Sequence, residues 1–199
     1  MVKNINILYL HGFNSSPQSM KAQLTKNYFH ENFPDISFFS PQLASSPDEV
    51  VKQLASLIAE KSHDNSIWYF IGSSLGGYFS TYLSEKYQGK AILINPAVKP
   101  FELLSDYLGE QTNPYTQEVY KIESHFIASL KNLEQKNISK NNYLVMVQTG
   151  DEVLDYQEAV DKYCDCQLIV QQGGDHSFID YSKVLPTIAM FFNLYQTDQ

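Results

Sequence analysis

A chain of 199 residues with 43% hydrophobic and 18% charged side chains has the makeup of one soluble globular domain, long enough to bury a core around a single sheet. The net charge of −8 leaves no basic stripe to hold a phosphate backbone, so nucleic acid is not an expected partner. All 14 basic residues are lysines. Without the arginine fork, an anionic substrate group would have to be met by a lysine, a backbone N–H or a helix N-terminus, which argues against tight recognition of such a group.

The first ten residues, Met1 to Leu10, are too short in apolar length and too interrupted for a signal peptide. No run elsewhere approaches the ~18 apolar residues of a membrane span, so a cytoplasmic location is expected. Strands are predicted at 5–10, 36–39, 67–71, 91–94, 143–148 and 167–171, several of them apolar at consecutive positions, as in a parallel sheet covered on both faces. Helices are predicted between them. Ser15-Ser16-Pro17 is expected to cap a helix carrying Met20, Leu24 and Tyr28 on one face. Ser46-Pro47-Asp48-Glu49 reads as a capping box ahead of Val50, Leu54, Leu57 and Ile58. Further helices are expected over 75–87, 156–163 and 179–194, the last interrupted near Pro186.

The alternation implies an α/β fold: three layers with a mostly parallel sheet of about six strands. More than forty residues separate the strand ending at Ile94 from the one starting at Tyr143, far more than one crossover helix needs. Residues 99–142 are therefore expected to form an inserted cap of two or three helices over the C-terminal sheet edge, where ligands bind in such sheets. Within it, Val119, Ile122, Phe126 and Leu130 read as one amphipathic pattern. Cys164 and Cys166 flank a single residue, a spacing suited neither to zinc nor to a structural disulfide, and are expected to be reduced thiols.

Gly72-Ser73-Ser74-Leu75-Gly76-Gly77 lies directly between an apolar strand and a helical pattern, the setting of a G-x-S-x-G nucleophile elbow. Small residues are needed two before and two after the serine. Ser74 finds Gly72 and Gly76 there; Ser73 would find Ile71 and Leu75. A serine hydroxyl needs a base. His30, His63 and His125 read as solvated, and His11 as a packed residue. His176 stands in the glycine-rich loop Gly173-Gly174-Asp175-His176 after the last strand, where it can reach the elbow. Asp151, after the penultimate strand, completes the chain order Ser, Asp, His of this fold, with Glu152, Asp155 and Asp175 as rivals. The backbone N–H groups of Phe13 and Leu75 are the expected oxyanion donors. No metal ligand set or P-loop spacing is present, and no cofactor is expected.

Beyond these single motifs, Leu10-His11-Gly12-Phe13-Asn14-Ser15-Ser16-Pro17, Gly72 to Tyr78, Asn95-Pro96-Ala97-Val98-Lys99-Pro100-Phe101-Glu102, Asn113-Pro114-Tyr115-Thr116, Thr149 to Tyr156 and Gly173 to Phe178 together resemble the YqiA-like bacterial esterases, over nearly the whole chain. The resemblance implies an α/β-hydrolase fold, cleavage of acyl esters or acyl thioesters, and a triad falling on Ser74, Asp151 and His176. The expected function is therefore that of a serine esterase acting on a small acyl ester. The alternatives are an acyl-coenzyme A thioesterase, a peptidase, and a hydrolase-fold binding protein without turnover.

Overall fold

Residues 4–195 are described by the computed structural model, so Met1 to Lys3 of the N-terminal stretch lie outside it. In chain order the elements are β1 (Asn4–Leu10), α1 (Met20–Asn32), β2 (Ser37–Phe39), α2 (Pro47–Lys61), β3 (Ser66–Ser73), α3 (Leu75–Tyr87) and β4 (Ala91–Ile94). There follow α4 (Pro100–Leu103), β5 (Gly109–Thr112), β6 (Val119–Ile122), α5 (Ser124–Asn132), β7 (Tyr143–Gln148), α6 (Tyr156–Lys162), β8 (Gln167–Gln171) and α7 (Leu185–Phe191). Six strands form one sheet in the order β2-β1-β3-β4-β7-β8, and every pair in it is parallel.

Because successive side chains on a strand point to opposite faces, the apolar runs supply two cores at once. Leu8, Leu10, Phe70, Leu93 and Val145 pack on one face with Val50, Leu54 and Ile58 of α2 and Phe79 and Leu83 of α3. Ile7, Tyr9, Ile71, Ile92 and Met146 pack on the other with Phe29 of α1 and Ile188 of α7. All residues of β4 and β7 are buried. Each such side chain stabilises the fold by about 1.5–3 kcal/mol relative to exposure. The result is the predicted three-layer α/β sandwich. Among the described residues, no helix is long and apolar enough to cross a membrane.

Local chemistry moved three boundaries. Helix α1 starts at Met20 with Ser19 as its N-cap, not at Ser15-Ser16-Pro17. The Ser16 hydroxyl instead accepts the Gln18 N–H at 2.9 Å, spending that segment on a turn. The helix buries Ala22, Thr25 and Phe29, while Met20 is 61% exposed. A 3-10 turn over Tyr181–Val184 gives way to α7 at Leu185, so the helical stretch starts later than expected and changes near Pro186, which sits in the first turn of α7, where a missing N–H costs nothing. The 119–130 pattern divides: Val119–Ile122 pairs with Gly109–Thr112 as an antiparallel ribbon, and the helix begins only at Ser124. A turn explains the switch. The Asn113 side-chain oxygen accepts the N–H groups of Tyr115 at 2.9 Å and Thr116 at 3.3 Å, folding the chain back on itself.

The 99–142 excursion is pinned beside the carboxyl ends of β1 and β3. Tyr120 donates to the Asn14 side chain at 2.7 Å, and Asn113 donates to the Ser15 carbonyl at 3.0 Å. The strand order reverses direction between β1 and β3, which is the crevice where open parallel sheets bind ligands.

Candidate active site

Ser74 occupies the turn between β3 and α3 with φ 56° and ψ −123°, a conformation that disfavours any side chain. Its neighbours hold it there. The Ser74 N–H donates to the Ile94 carbonyl at 3.1 Å, and the Ser74 carbonyl accepts from Gly77 at 2.9 Å and Ala97 at 3.1 Å. The glycine requirement read from the motif has a direct steric cause. A Cβ on Gly72 would lie 2.2 Å from the Gly76 carbonyl oxygen, and one on Gly76 would lie 2.0 Å from that of Leu10. Both obstacles are main chain. Gly76→Ala is expected to destabilise the protein by about 3 kcal/mol or more, read as a lowered urea midpoint.

Leu10 pairs with Gly72 in the sheet, which brings the loop after β1 against the elbow. A Cβ on Gly12 would stand 3.1 Å from that of Ser74. The N–H of Leu75 is the first of α3 and has no intrahelical acceptor by construction. Phe13 follows Gly12 on the facing loop. His11 is buried: its Nε2 accepts the Leu43 N–H at 3.1 Å while Nδ1 donates to the Gly12 carbonyl at 2.9 Å. Desolvation lowers its pKa and keeps the ring neutral. This is the packed role expected for it, with both nitrogens committed to holding the loop.

Asp151 and His176 meet directly. Nδ1 of His176 donates to the two Asp151 carboxylate oxygens at 2.8 and 3.0 Å, and the Asp151 side chain is only 2% exposed. The carboxylate also accepts the N–H groups of Val153 at 2.9 Å and Leu154 at 2.8 Å. Burial, the strongest single influence, pushes the Asp151 pKa up. The His176 ring and then those two N–H groups outweigh it, leaving the carboxyl below its ordinary value. Asp151 thus favours the fold at neutral pH and loses that contribution as acid protonates it.

None of the rival acids bonds the His176 ring among the described hydrogen bonds. Asp155 caps α6, accepting the Gln157 N–H at 2.9 Å. Glu152 accepts the His176 backbone N–H at 3.0 Å, not its ring. Asp175 offers an oxygen that has no partner among the described residues. His30, His63 and His125 are all exposed.

The residues gripping the histidine loop escaped sequence reasoning. Gln148, buried at the end of β7, accepts the N–H groups of Asp175 at 3.1 Å and Ile179 at 2.9 Å through Oε1. Asn95 donates to the carbonyls of Asp175 at 3.0 Å and His176 at 3.3 Å. Lys21 of α1 reaches the carbonyls of His176 and Ser177. A polar residue closing an otherwise apolar strand was the one available signal for Gln148. Nothing local pointed to Lys21.

Two pockets adjoin this centre and share His11, Gly12 and Phe13. One contains Ser74, His176, Lys21 and Tyr115. The other is mostly apolar, walled by Leu43, Val50, Leu75 and Phe79 from the sheet domain and by Leu104 and Phe126 from the excursion. Ser74 and His176 thus line one pocket, with the Asp151 carboxylate bonded to the ring and an apolar pocket alongside.

Comparison with known proteins places this chain among solved structures of the same architecture. It superposes on mouse alpha/beta hydrolase domain-containing protein 10 with a TM-score of 0.73 at 17% identity, covering 95% of this chain and 90% of that one. For Est1E from Butyrivibrio proteoclasticus the TM-score is 0.72 at 14% identity, covering 96% and 88%. For the esterase domain of a Rhodothermus marinus protein it is 0.69 at 14% identity, covering 96% and 87%. The fold is that of an α/β hydrolase. In sequence, a UPF0227 protein of Shewanella woodyi is 26% identical over 193 residues, 93% of this chain and 98% of that relative. The model of the uncharacterised protein family UPF0227, the YqiA family, matches residues 6–193, and the chain belongs to that family.

Proposed function

We propose that this protein is a serine esterase that cleaves acyl esters through Ser74, His176 and Asp151. The observation that carries the reading is the His176 ring held at Nδ1 by a buried carboxylate while sharing one pocket with the positive-φ serine of an elbow. His176 takes the Ser74 hydroxyl proton as Oγ attacks the ester carbonyl. The N–H groups of Phe13 and Leu75 hold the oxyanion. On collapse the C–O bond breaks, the imidazolium returns its proton to the leaving alcohol, and the acyl group stays on Ser74. Water then gives a proton to His176 as it attacks the acyl carbon; the bond to Ser74 Oγ breaks, the imidazolium returns the proton to Oγ, and the acid leaves. Asp151 keeps the ring in the tautomer this sequence requires.

The leaving oxygen must face the group that protonates it. The leaving alcohol therefore lies in the pocket containing His176, and the acyl chain turns toward the apolar pocket beyond Phe13 and Leu75. Residues 99–142 act as a cap over that second pocket, which suits an acyl group of short to medium length. Esterases and hydrolases among the fold neighbours support the reaction class.

The test is labelling with a fluorophosphonate followed by peptide mapping. Label is expected on Ser74; folded protein that takes no label, or takes it elsewhere, refutes the proposal. A panel of oxygen esters, acyl thioesters and peptide amides, ranked by kcat/KM, is expected to place oxygen esters first.

A further inference from the structure

Lys21 is the one lysine lining the pocket that contains Ser74 and His176. Among the described residues it makes no ion pair within 4.0 Å. Its ammonium is spent on main chain instead, donating to the Ser177 carbonyl at 3.0 Å and the His176 carbonyl at 3.4 Å, across 156 and 155 residues of sequence. That placement is costly. Desolvation lowers the Lys21 pKa to about 8, with the charges of Asp175 and then Asp151 offsetting only part of the effect. An apolar residue would avoid the penalty of a partly buried cation.

The carbonyls explain why a donor is needed. The segment after Gly173 and Gly174, both at positive φ, forms no helix or strand until Tyr181, so sheet ladders and helices leave its polar groups unserved. Asn95 reaches Asp175 and His176 from just past β4, Gln148 reaches Asp175 and Ile179 from the end of β7, and Glu152 takes the His176 N–H. All three come from the ends of β4 and β7 or the turn directly after β7. Lys21 attaches the loop from α1, a helix that packs through Ala22 and Phe29 on the face of the sheet where Phe178 of the same loop is also buried. It is also the sole donor to Ser177 O among the described hydrogen bonds.

From this we infer that Lys21 is a positioning residue that sets the aim of the His176 imidazole toward Ser74 by anchoring the His176–Ser177 backbone to α1. The inference rests on the reading of Ser74 and His176 as nucleophile and base. It predicts an effect on the chemical step, because a loop free to shift by an ångström moves the base off line, whereas an anchor for substrate would act on binding.

Lys21→Met keeps length and removes the donor. It is expected to lower kcat on a short-chain p-nitrophenyl ester about 10–100-fold with KM changed less than about threefold. The Nδ1 proton of His176, bound to Asp151, should shift or broaden in the proton NMR spectrum of the same variant. Lys21→Arg, which can still donate to both carbonyls, should recover much of kcat. A risen KM with kcat unchanged would make Lys21 a substrate ligand and overturn the inference. So would an unchanged kcat together with an unchanged imidazole proton. If Lys21→Met does not fold, Lys21→Gln provides the same readings. The NMR signature needs no turnover: its movement in a protein that cleaves no ester would uphold the anchor while refuting the esterase reading.

Discussion

Ser74→Ala is expected to lower kcat about 10⁵–10⁶-fold while leaving a folded protein, because removing the nucleophile of a triad abolishes the benefit of the other two members. Residual turnover of about 10³–10⁴ over the uncatalysed rate is expected from the remaining oxyanion donors and substrate binding. A companion variant separates chemistry from architecture. At φ 56° Ser74 carries a backbone conformation that glycine adopts freely and other residues at a cost of about 1–3 kcal/mol. Ser74→Gly should therefore be as inactive as Ser74→Ala yet unfold at a higher urea concentration. Denaturation curves beside steady-state rates would check both. An active Ser74→Ala protein would remove the serine from the mechanism.

Asp151→Asn carries the second large effect, a fall in kcat of about 10⁴-fold. A carboxamide retains the shape but can present its N–H₂ to the ring, favouring the tautomer with the proton on Nε2, where it cannot accept from Ser74. The comparison with Asp155→Asn makes the test selective. Asp155 only caps α6 through the Gln157 N–H, and asparagine is as good a cap, so that change should leave kcat within about threefold and stability nearly unchanged. Equal losses in the two variants would mean that Asp151 does not orient the histidine.

Much of this site was legible because its steric demands are local. An elbow must have small residues on either side of the serine, and the 2.2 and 2.0 Å approaches at Gly72 and Gly76 are the physical content of that rule. Strands β4 and β7 were also readable to the residue, since short apolar runs buried on both faces leave no competing period, and the bounds of the half-buried edge strand β8 were matched as well. The ribbon at β5 and β6 was not. Val119, Ile122 and Phe126 fit a helical spacing, and only the Asn113 turn together with the partner strand decides for period two.

The order of acid and base along the chain, and the choice of Ser74 over Ser73, follow from sequence because turn geometry and strand succession are encoded within a few residues of each motif. Strand order already preferred Asp151, but which of its neighbours bonds the His176 ring is seen only in the tertiary structure. Asp151, Glu152 and Asp155 lie within five positions, and which one meets the ring depends on how the loop after β7 curls around the loop after β8. The support beneath the histidine is wholly tertiary. Lys21, Asn95 and Gln148 come from three elements far apart in sequence, and their hydrogen bonds exist only once a parallel sheet has stacked the ends of its strands at one edge. Residue types near a motif can name candidate groups, but the bond between His176 and Asp151, and the supports beneath the histidine loop, are properties of the packed sheet.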